Sequence, residues 1–230
     1  MAVIVTGANR GIGLGLVRQL AARGGELVAA TRDPDRATEL AALAEQSDGR
    51  LRVLACDVAD DDSVRRFAGE VGEVAVELLV NNAGVYGGAT QSIDGIDFAD
   101  AVTTYQVNAL GPLRVTLALL PNLRRAANAK VVHVTSGMGS IGDNGSGSFY
   151  AYRMSKAALN MAAKTLANDL RGDGVTCAVI NPGWVRTDMG GPSAAITVDE
   201  SVTGMLREID ALTLAETGTF RDWKGGTYPW

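Results

Sequence analysis

Histidine occurs once in the 230 residues and cysteine twice, proline six times, and aromatic residues make up only 5% of the chain. Cys56 and Cys177 fall in separate apolar runs, which gives neither a disulfide framework nor a zinc-site spacing, so both are expected to be reduced core thiols. His133, inside an apolar run, is read as a core residue without chemistry. Positive charge is also scarce. Twenty-one Lys and Arg against 26 Asp and Glu leave a net charge of −5 with the arginines scattered, which argues against a nucleic-acid partner. No apolar run reaches the roughly 20 residues that span a bilayer, and Met1 leads into a strand-like run without a charged leader. The expectation is a cytoplasmic protein with no membrane partner.

Apolar residues are concentrated instead in short stretches. AVIVT (2–6), ELVAAT (26–31), RLRVLAC (50–56), VELLV (76–80), KVVHVTS (130–136) and VTCAVIN (175–181) are nearly continuous, the pattern of strands covered on both faces. Longer amphipathic stretches at 11–23, 34–46, 61–72, 93–126 and 151–171 separate them. This alternation predicts an α/β fold: a doubly wound parallel sheet with helices on both faces. No repeat or charge block divides the chain, so residues 1–230 are expected to form a single domain, long enough to bury about 70–75% of the surface its unfolded form exposes. Two segments, GMGSIGDNGSGS (137–148) and GWVRTDMGGPSAAITVDE (183–200), leave the carboxyl ends of strands, the edge where open α/β sheets hold ligands. They are read as substrate loops, with flexible linkage as the alternative.

The first strand-like run ends in Thr6-Gly7-Ala8-Asn9-Arg10-Gly11-Ile12-Gly13, directly before a helical pattern. Glycines there permit a tight turn, let backbone N–H groups approach a pyrophosphate and let helix pack on strand, while the helix N-terminus attracts negative charge. The spacing departs from Gly-x-Gly-x-x-Gly, so the strand before and the helix after carry the inference. Further along, Tyr152 and Lys156 stand four apart within FYAYRMSKAALNMAAKTLANDL, where the apolar residues recur at helical spacing, so both rise from one helix face. An ammonium beside a phenol stabilises the phenolate and is expected to lower its pKa from about 10 toward neutrality, as a general acid or base requires. Tyr150 is a rival, but position 154 is methionine and leaves it without a lysine at that spacing.

Thr6-Gly7 through Gly13, Asn81-Asn82-Ala83-Gly84, Thr135-Ser136, Tyr152 to Lys156 and Asn181-Pro182-Gly183 follow one another in the order and at roughly the separations of the short-chain dehydrogenase/reductase family. The chain resembles that family over its whole length. The Gly-Ser-Ile-Gly-Asp-Asn stretch, ATRDPDRATEL and the tail TFRDWKGGTYPW are similar to the C-factor and sniffer-like carbonyl reductase branch. The resemblance implies a Rossmann-like fold and hydride exchange between a nicotinamide cofactor and a small to medium apolar carbonyl or secondary alcohol. A dinucleotide-binding regulatory or signalling protein with little turnover is the alternative.

By the same resemblance, Tyr152 is the acid/base, Lys156 hydrogen-bonds the nicotinamide ribose and tunes the phenol, Ser136 holds the substrate oxygen, and Asn108 links Lys156 to solvent through water. Gly7, Asn9, Arg10, Gly11, Ile12 and Gly13 are expected to hold the cofactor, together with Val58, Asn82, Ala83, Gly84, Pro182, Gly183, Val185 and Thr187. Asp57 resembles the family's adenine contact, and helix capping is its other reading. Thr31 stands where a family NAD enzyme carries its acid, and Arg32 follows; with Arg10 it offers two guanidiniums to a 2′-phosphate, so NADP(H) is expected over NAD(H). Asp33 reaching the ribose would give NAD(H) instead. Met138, Tyr150, Trp184 and Met189 are expected to wall the substrate pocket. The interval of 16 positions from Ser136 to Tyr152 is longer than in many family members, which implies an enlarged loop over the pocket. The helices at 93–126 and 151–171 are where family members often pair.

Overall fold

Successive residues of a strand face opposite sides of a sheet, so nearly continuous apolar runs need cover on both. The computed structural model, which describes residues 1–230, provides it. Strand β1 (Ala2–Thr6) leads to helix α1 (Gly11–Arg23), β2 (Glu26–Thr31) to α2 (Thr38–Glu45), and β3 (Leu51–Ala55) to α3 (Asp61–Val71). After β4 (Val76–Asn81), a small hairpin of β5 (Gln91–Ser92) and β6 (Gly95–Ile96) precedes α4 (Phe98–Tyr105), a π-helical turn (Gln106–Leu110), α5 (Gly111–Ala118) and α6 (Leu120–Arg124). Then come β7 (Lys130–Val134), α7 (Tyr150–Asp169), β8 (Thr176–Asn181), α8 (Val198–Ala211) and β9 (Thr219–Asp222).

Seven strands form one sheet in the order β3-β2-β1-β4-β7-β8-β9, every pair parallel. This is the doubly wound, Rossmann-like arrangement, and the winding reverses between β1 and β4. On one face Val5, Leu27, Val80 and Ile180 pack with Leu16 and Val17 of α1, Leu40 of α2 and Met205 of α8. On the other, Ile4, Val28, Leu79 and Cys177 pack with Phe67 of α3, Val115 of α5, Leu123 of α6 and Leu166 of α7. Each such side chain stabilises by roughly 1.5–3 kcal/mol when buried, so neighbours such as Ile4 and Val5, pointing opposite ways, select a sheet covered twice. Cys56 and Cys177 are free and buried, and burial pushes both thiols up to about 12.

Helix boundaries follow local chemistry. The α3 start is capped by Asp60, whose carboxylate accepts from the Ser63 N–H at 2.5 Å, and Gly72 at φ 76° ends it. Helix α2 begins at Thr38 rather than 34, because Asp33 Oδ1 accepts from the Arg36 N–H at 3.3 Å and the Pro34 carbonyl from Ala37 at 3.0 Å, a turn that uses the first residues. The amphipathic stretch 93–126 is several elements, broken by the Asp97 cap, the π turn and prolines in the first turns of α5 and α6. The β5–β6 hairpin, helix α8 and strand β9 had no counterpart in the sequence reading. Helix α8 carries a capping box, Thr197 with Glu200, which TVDE displays and which could have found it; β9 is a four-residue edge strand with no strong pattern. No helix is long and apolar enough to cross a membrane.

Candidate active site

The glycine turn sits at the carboxyl end of β1, beside that of β4. Gly7 and Gly11 have φ of 62° and 53°, which L side chains rarely adopt. A Cβ on Gly7 would lie 2.7 Å from Ala83 Cα, and one on Gly13 would lie 2.1 Å from the Gly7 carbonyl oxygen. The same turn is tied to the end of β4: Thr6 Oγ1 accepts from the N–H groups of Asn82 and Ala83 at 3.1 Å, and Asn82 Nδ2 donates to the Thr6 and Gly7 carbonyls at 3.0 Å. Helix α1 receives no capping side chain and has no acidic residue in its first turn. Its free N–H groups therefore fit a dinucleotide pyrophosphate. Asn9 and Ile12 lie on the same turn, which Thr187 overhangs, since a Cβ on Gly11 would be 3.2 Å from Thr187 Cγ2.

Around this turn the other expected cofactor residues are distributed unevenly. Val58 is buried and packs on Gly111, whereas Asp57 Oδ1 accepts from the Ala59 N–H at 2.9 Å; the helix-capping role falls to Asp60. The Pro182 carbonyl accepts from Ser201 Oγ at 2.6 Å, and Gly183 at φ 81° lies against Trp223. Val185 is buried and bridges to Ile196, and Thr187 Oγ1 accepts from the Gly190 N–H at 3.1 Å. Arg32 is exposed and makes no side-chain hydrogen bond or ion pair, while Asp33 is engaged by Arg36, with Nε 3.9 Å away. Arg10 is not free beside Arg32: its Nη1 pairs with Asp188 Oδ2 at 2.8 Å, an exposed pair joining the glycine turn to the segment after β8.

Ser136, Tyr152 and Lys156 come together at the carboxyl end of β7. Ser136 caps a short 3-10 turn (Gly137–Gly139) by accepting from the Met138 N–H at 3.1 Å, and that turn is pinned by Asn181 Oδ1 to the Gly137 N–H at 3.1 Å and by Asn160 Nδ2 to the Gly139 carbonyl at 3.1 Å. Tyr152 and Lys156 project from the first turns of α7, both buried, with Lys156 Nζ 5.8 Å from the Tyr152 ring centre. Asn108 lies on the π turn, a feature frequent at functional sites. Its amide exchanges hydrogen bonds with Val85, Oδ1 accepting from the N–H and Nδ2 donating to the carbonyl at 2.8 Å each, and Nδ2 also meets Ser155 Oγ at 3.0 Å. No direct hydrogen bond joins Asn108 to Lys156. The two side chains converge on Gly84, where a Cβ would lie 3.3 Å from Asn108 Oδ1 and 3.7 Å from Lys156 Nζ.

The expected lowering of the phenol is not what this geometry produces. Burial raises Tyr152 to about 12, the Ser136 hydroxyl pulls it back in part, and Tyr86 raises it further. Lys156 turns its ammonium to the Val134 carbonyl at 2.9 Å instead of toward the phenolic oxygen, and burial lowers it to about 8. Desolvation is the largest cause, and the Lys156 ammonium, turned to Val134, is not among the groups that shift the phenol. His133 is buried, and burial first, then Lys156, lowers it to about 3, so it is a neutral core residue beside Asn81 Nδ2 at 3.3 Å.

A cavity of about 290 Å³ is lined by Tyr86, Gly87, Gln91, Ser148 and Phe149 among others; Ser136, Tyr152 and Lys156 are not in its lining, and Tyr152 meets it through Tyr86 and Gln91. None of Met138, Tyr150, Trp184 and Met189 lines it. Tyr150, Trp184 and Met189 are exposed on the outside of their segments, and Trp184 Nε1 donates to the Gly190 carbonyl at 2.9 Å. Three residues missed in the sequence build the cavity wall. The Tyr86 ring packs on Tyr152 at 4.9 Å and on Phe149 at 5.8 Å, and Gln91 accepts from the Tyr152 N–H at 3.0 Å while donating to the Tyr86 carbonyl at 2.9 Å. Tyr86 follows Asn81-Asn82-Ala83-Gly84 by two positions, and that proximity was the available signal. The loop 137–149 is clasped by the last residues: Tyr228 OH donates to Asp143 Oδ2 at 2.8 Å, and the Trp230 carbonyl accepts from the Gly142 N–H at 2.8 Å.

Known proteins resemble this chain in sequence and in fold. A family model described as short chain dehydrogenase matches residues 1–195. The C-signal protein of Myxococcus xanthus is 50% identical over 167 residues, 73% of this chain and 100% of the relative. NADPH-bound carbonyl reductase from chicken fatty liver superposes with a TM-score of 0.94 at 38% identity, covering 100% of this chain and 98% of that one. Carbonyl reductase Sniffer of D. melanogaster does so with a TM-score of 0.93 at 31% identity, covering 100% and 99%.

Proposed function

Because this chain belongs to the short-chain dehydrogenase/reductase family of oxidoreductases, we propose that it is an NADP(H)-dependent carbonyl reductase, cytoplasmic and acting as a single domain over residues 1–230, with Tyr152 as its acid/base. The observation that carries the reading is the meeting of the Tyr152 phenol, the Ser136 hydroxyl and Lys156 beside a cavity at the ligand-binding edge of the sheet. The α1 N-terminus and its glycine turn would hold the pyrophosphate, and Val185 and Thr187 would meet the nicotinamide end. Unpaired Arg32, with Asp33 held by Arg36, favours a 2′-phosphate over a ribose hydroxyl. The NADPH carried by the chicken carbonyl reductase supports the same choice.

When bound, the cofactor supplies or accepts the hydride. Tyr152, held protonated by burial, donates its proton to the substrate oxygen, and the Ser136 hydroxyl gives that oxygen a hydrogen bond that strengthens as negative charge develops. Lys156 would place a positive charge under the site and would hydrogen-bond the ribose of a bound cofactor. A phenol held protonated suits reduction of an aldehyde or ketone better than oxidation of an alcohol. The cavity, with no charged residue among its lining, suits a small to medium uncharged substrate.

Tyr152→Phe is expected to lower NADPH-dependent reduction of a carbonyl panel by at least about a hundredfold, while NADPH binding, followed by fluorescence and tighter than that of NADH, is retained. Near-native turnover by the variant, or a preference for NADH, would overturn the corresponding half of the reading. The Myxococcus relative, named for a signal, favours one second reading, a dinucleotide-binding signalling protein with little turnover. A chain that binds NADPH yet reduces no member of the panel would support it. We also propose that a second copy covers the apolar residues exposed on the adjoining helices α4 and α7, namely Phe98, Val102, Met154 and Met161.

A further inference from the structure

The loop that follows Ser136 ends in a strained step. Ser148 and Phe149 have φ of 55° and 54°, a left-handed conformation costly for any residue with a Cβ and most of all for a bulky one. Phe149 enters α7 with no capping side chain. Such a step persists only where the surroundings hold it, and one side chain does so. Arg153 Nε donates to the Gly147 and Ser148 carbonyls at 3.2 and 3.1 Å, its Nη2 donates to Ser146 Oγ at 2.8 Å, and its Nη1 reaches the Met138 carbonyl at 3.5 Å. No carboxylate pairs with it, so the whole planar fork is spent on this loop.

What the step holds is one wall of the cavity. Phe149 packs on Tyr86, Tyr86 packs on Tyr152, and Ser148, Phe149 and Tyr86 all line the cavity. Arg153 also acts on Tyr86 through space: burial raises that phenol and the guanidinium pulls against it. We propose that Arg153 is a positioning residue for substrate recognition, its fork holding the Ser148–Phe149 step and thereby setting the Phe149–Tyr86 wall beside Tyr152. What the wall recognises rests on the carbonyl reductase reading; the coupling of Arg153 to Phe149 does not.

Two measurements on the full chain test it. Under native conditions chymotrypsin cleaves after Phe149 only when the segment opens, so Arg153→Ala is expected to speed that cleavage about tenfold while the melting temperature of the fold stays within a few degrees. For the best-reduced aldehyde of a series from propanal to benzaldehyde, Arg153→Ala raises KM about fivefold and leaves kcat within about twofold, the mark of lost binding rather than lost chemistry. Adding Arg153→Ala to Phe149→Ala raises KM no further, because the arginine acts through that ring. Arg153→Lys, with one ammonium in place of a fork, falls between wild type and Arg153→Ala. Unchanged cleavage, unchanged KM, or effects that add in the double variant would each overturn the proposal. If no aldehyde is reduced, the functional reading falls and the cleavage comparison alone decides whether Arg153 holds Phe149.

Discussion

Tyr152 and Lys156 are both pushed by burial toward their neutral forms, the phenol to about 12 and the amine to about 8. The two shifts set different limits on a reduction. The phenol keeps its proton across the whole neutral range, so proton supply does not fail as the pH rises from 6 to 10. The lysine does change. Its charge is complete below about 8 and is lost as the pH climbs through that value. If the charge under the site is needed, kcat/KM for carbonyl reduction is expected to be flat below pH 8 and to fall above it toward a limiting slope of one decade per unit. A profile that stays level to pH 10 would show that loss of the Lys156 charge near pH 8 does not limit reduction.

Helix α1 and its turn illustrate how far context overrides local propensity. Alanine is favoured over glycine inside a helix by about 1 kcal/mol, so Gly13→Ala and Gly69→Ala should both stabilise if only the helix mattered. They should not behave alike. A Cβ at position 13 would stand 2.1 Å from the Gly7 carbonyl oxygen and 2.5 Å from Asn82 Nδ2, and it cannot be accommodated without moving the turn. At position 69, on the exposed side of α3, nothing lies within 4 Å. Gly69→Ala is therefore expected to raise stability by about 0.5–1 kcal/mol in urea denaturation. Gly13→Ala should lower it and weaken NADPH binding at least about tenfold, since the N–H groups of the α1 first turn lose their alignment. Equal effects of the two changes would mean that the turn is not the close-packed cradle described.

Across the molecule as a whole, the sheet is covered on both faces, yet helices α4 and α7 still present Phe98, Val102, Met154 and Met161 to the outside. Exposed apolar side chains on two adjoining helices are costly to leave in water, and a second copy would cover them. Light scattering after size exclusion is expected to give twice the 23.9 kDa chain mass, and Val102→Asp with Met161→Asp to return the monomer. A wild-type monomer at micromolar concentration would remove the pairing.

The sheet, its helices on both faces and the family were legible in the residues, because each signal is local: apolar runs of strand length, a glycine turn between strand and helix, and a tyrosine and lysine one helical turn apart. Tyr152 and Lys156 could be paired for the same reason, whereas Ser136 could be named only through the family resemblance. Contacts between distant segments could not. Arg10 meets Asp188, the end of the chain clasps Asp143, and Tyr86 packs against Phe149 through a loop whose left-handed step depends on Arg153. The direction of the Tyr152 shift belongs with these, since it turns on how deeply the phenol is buried and where Lys156 points. Periodicity and spacing encode what neighbours along the chain must do, whereas desolvation and packing are properties of atoms brought close by folding, and no spacing in the sequence measures them.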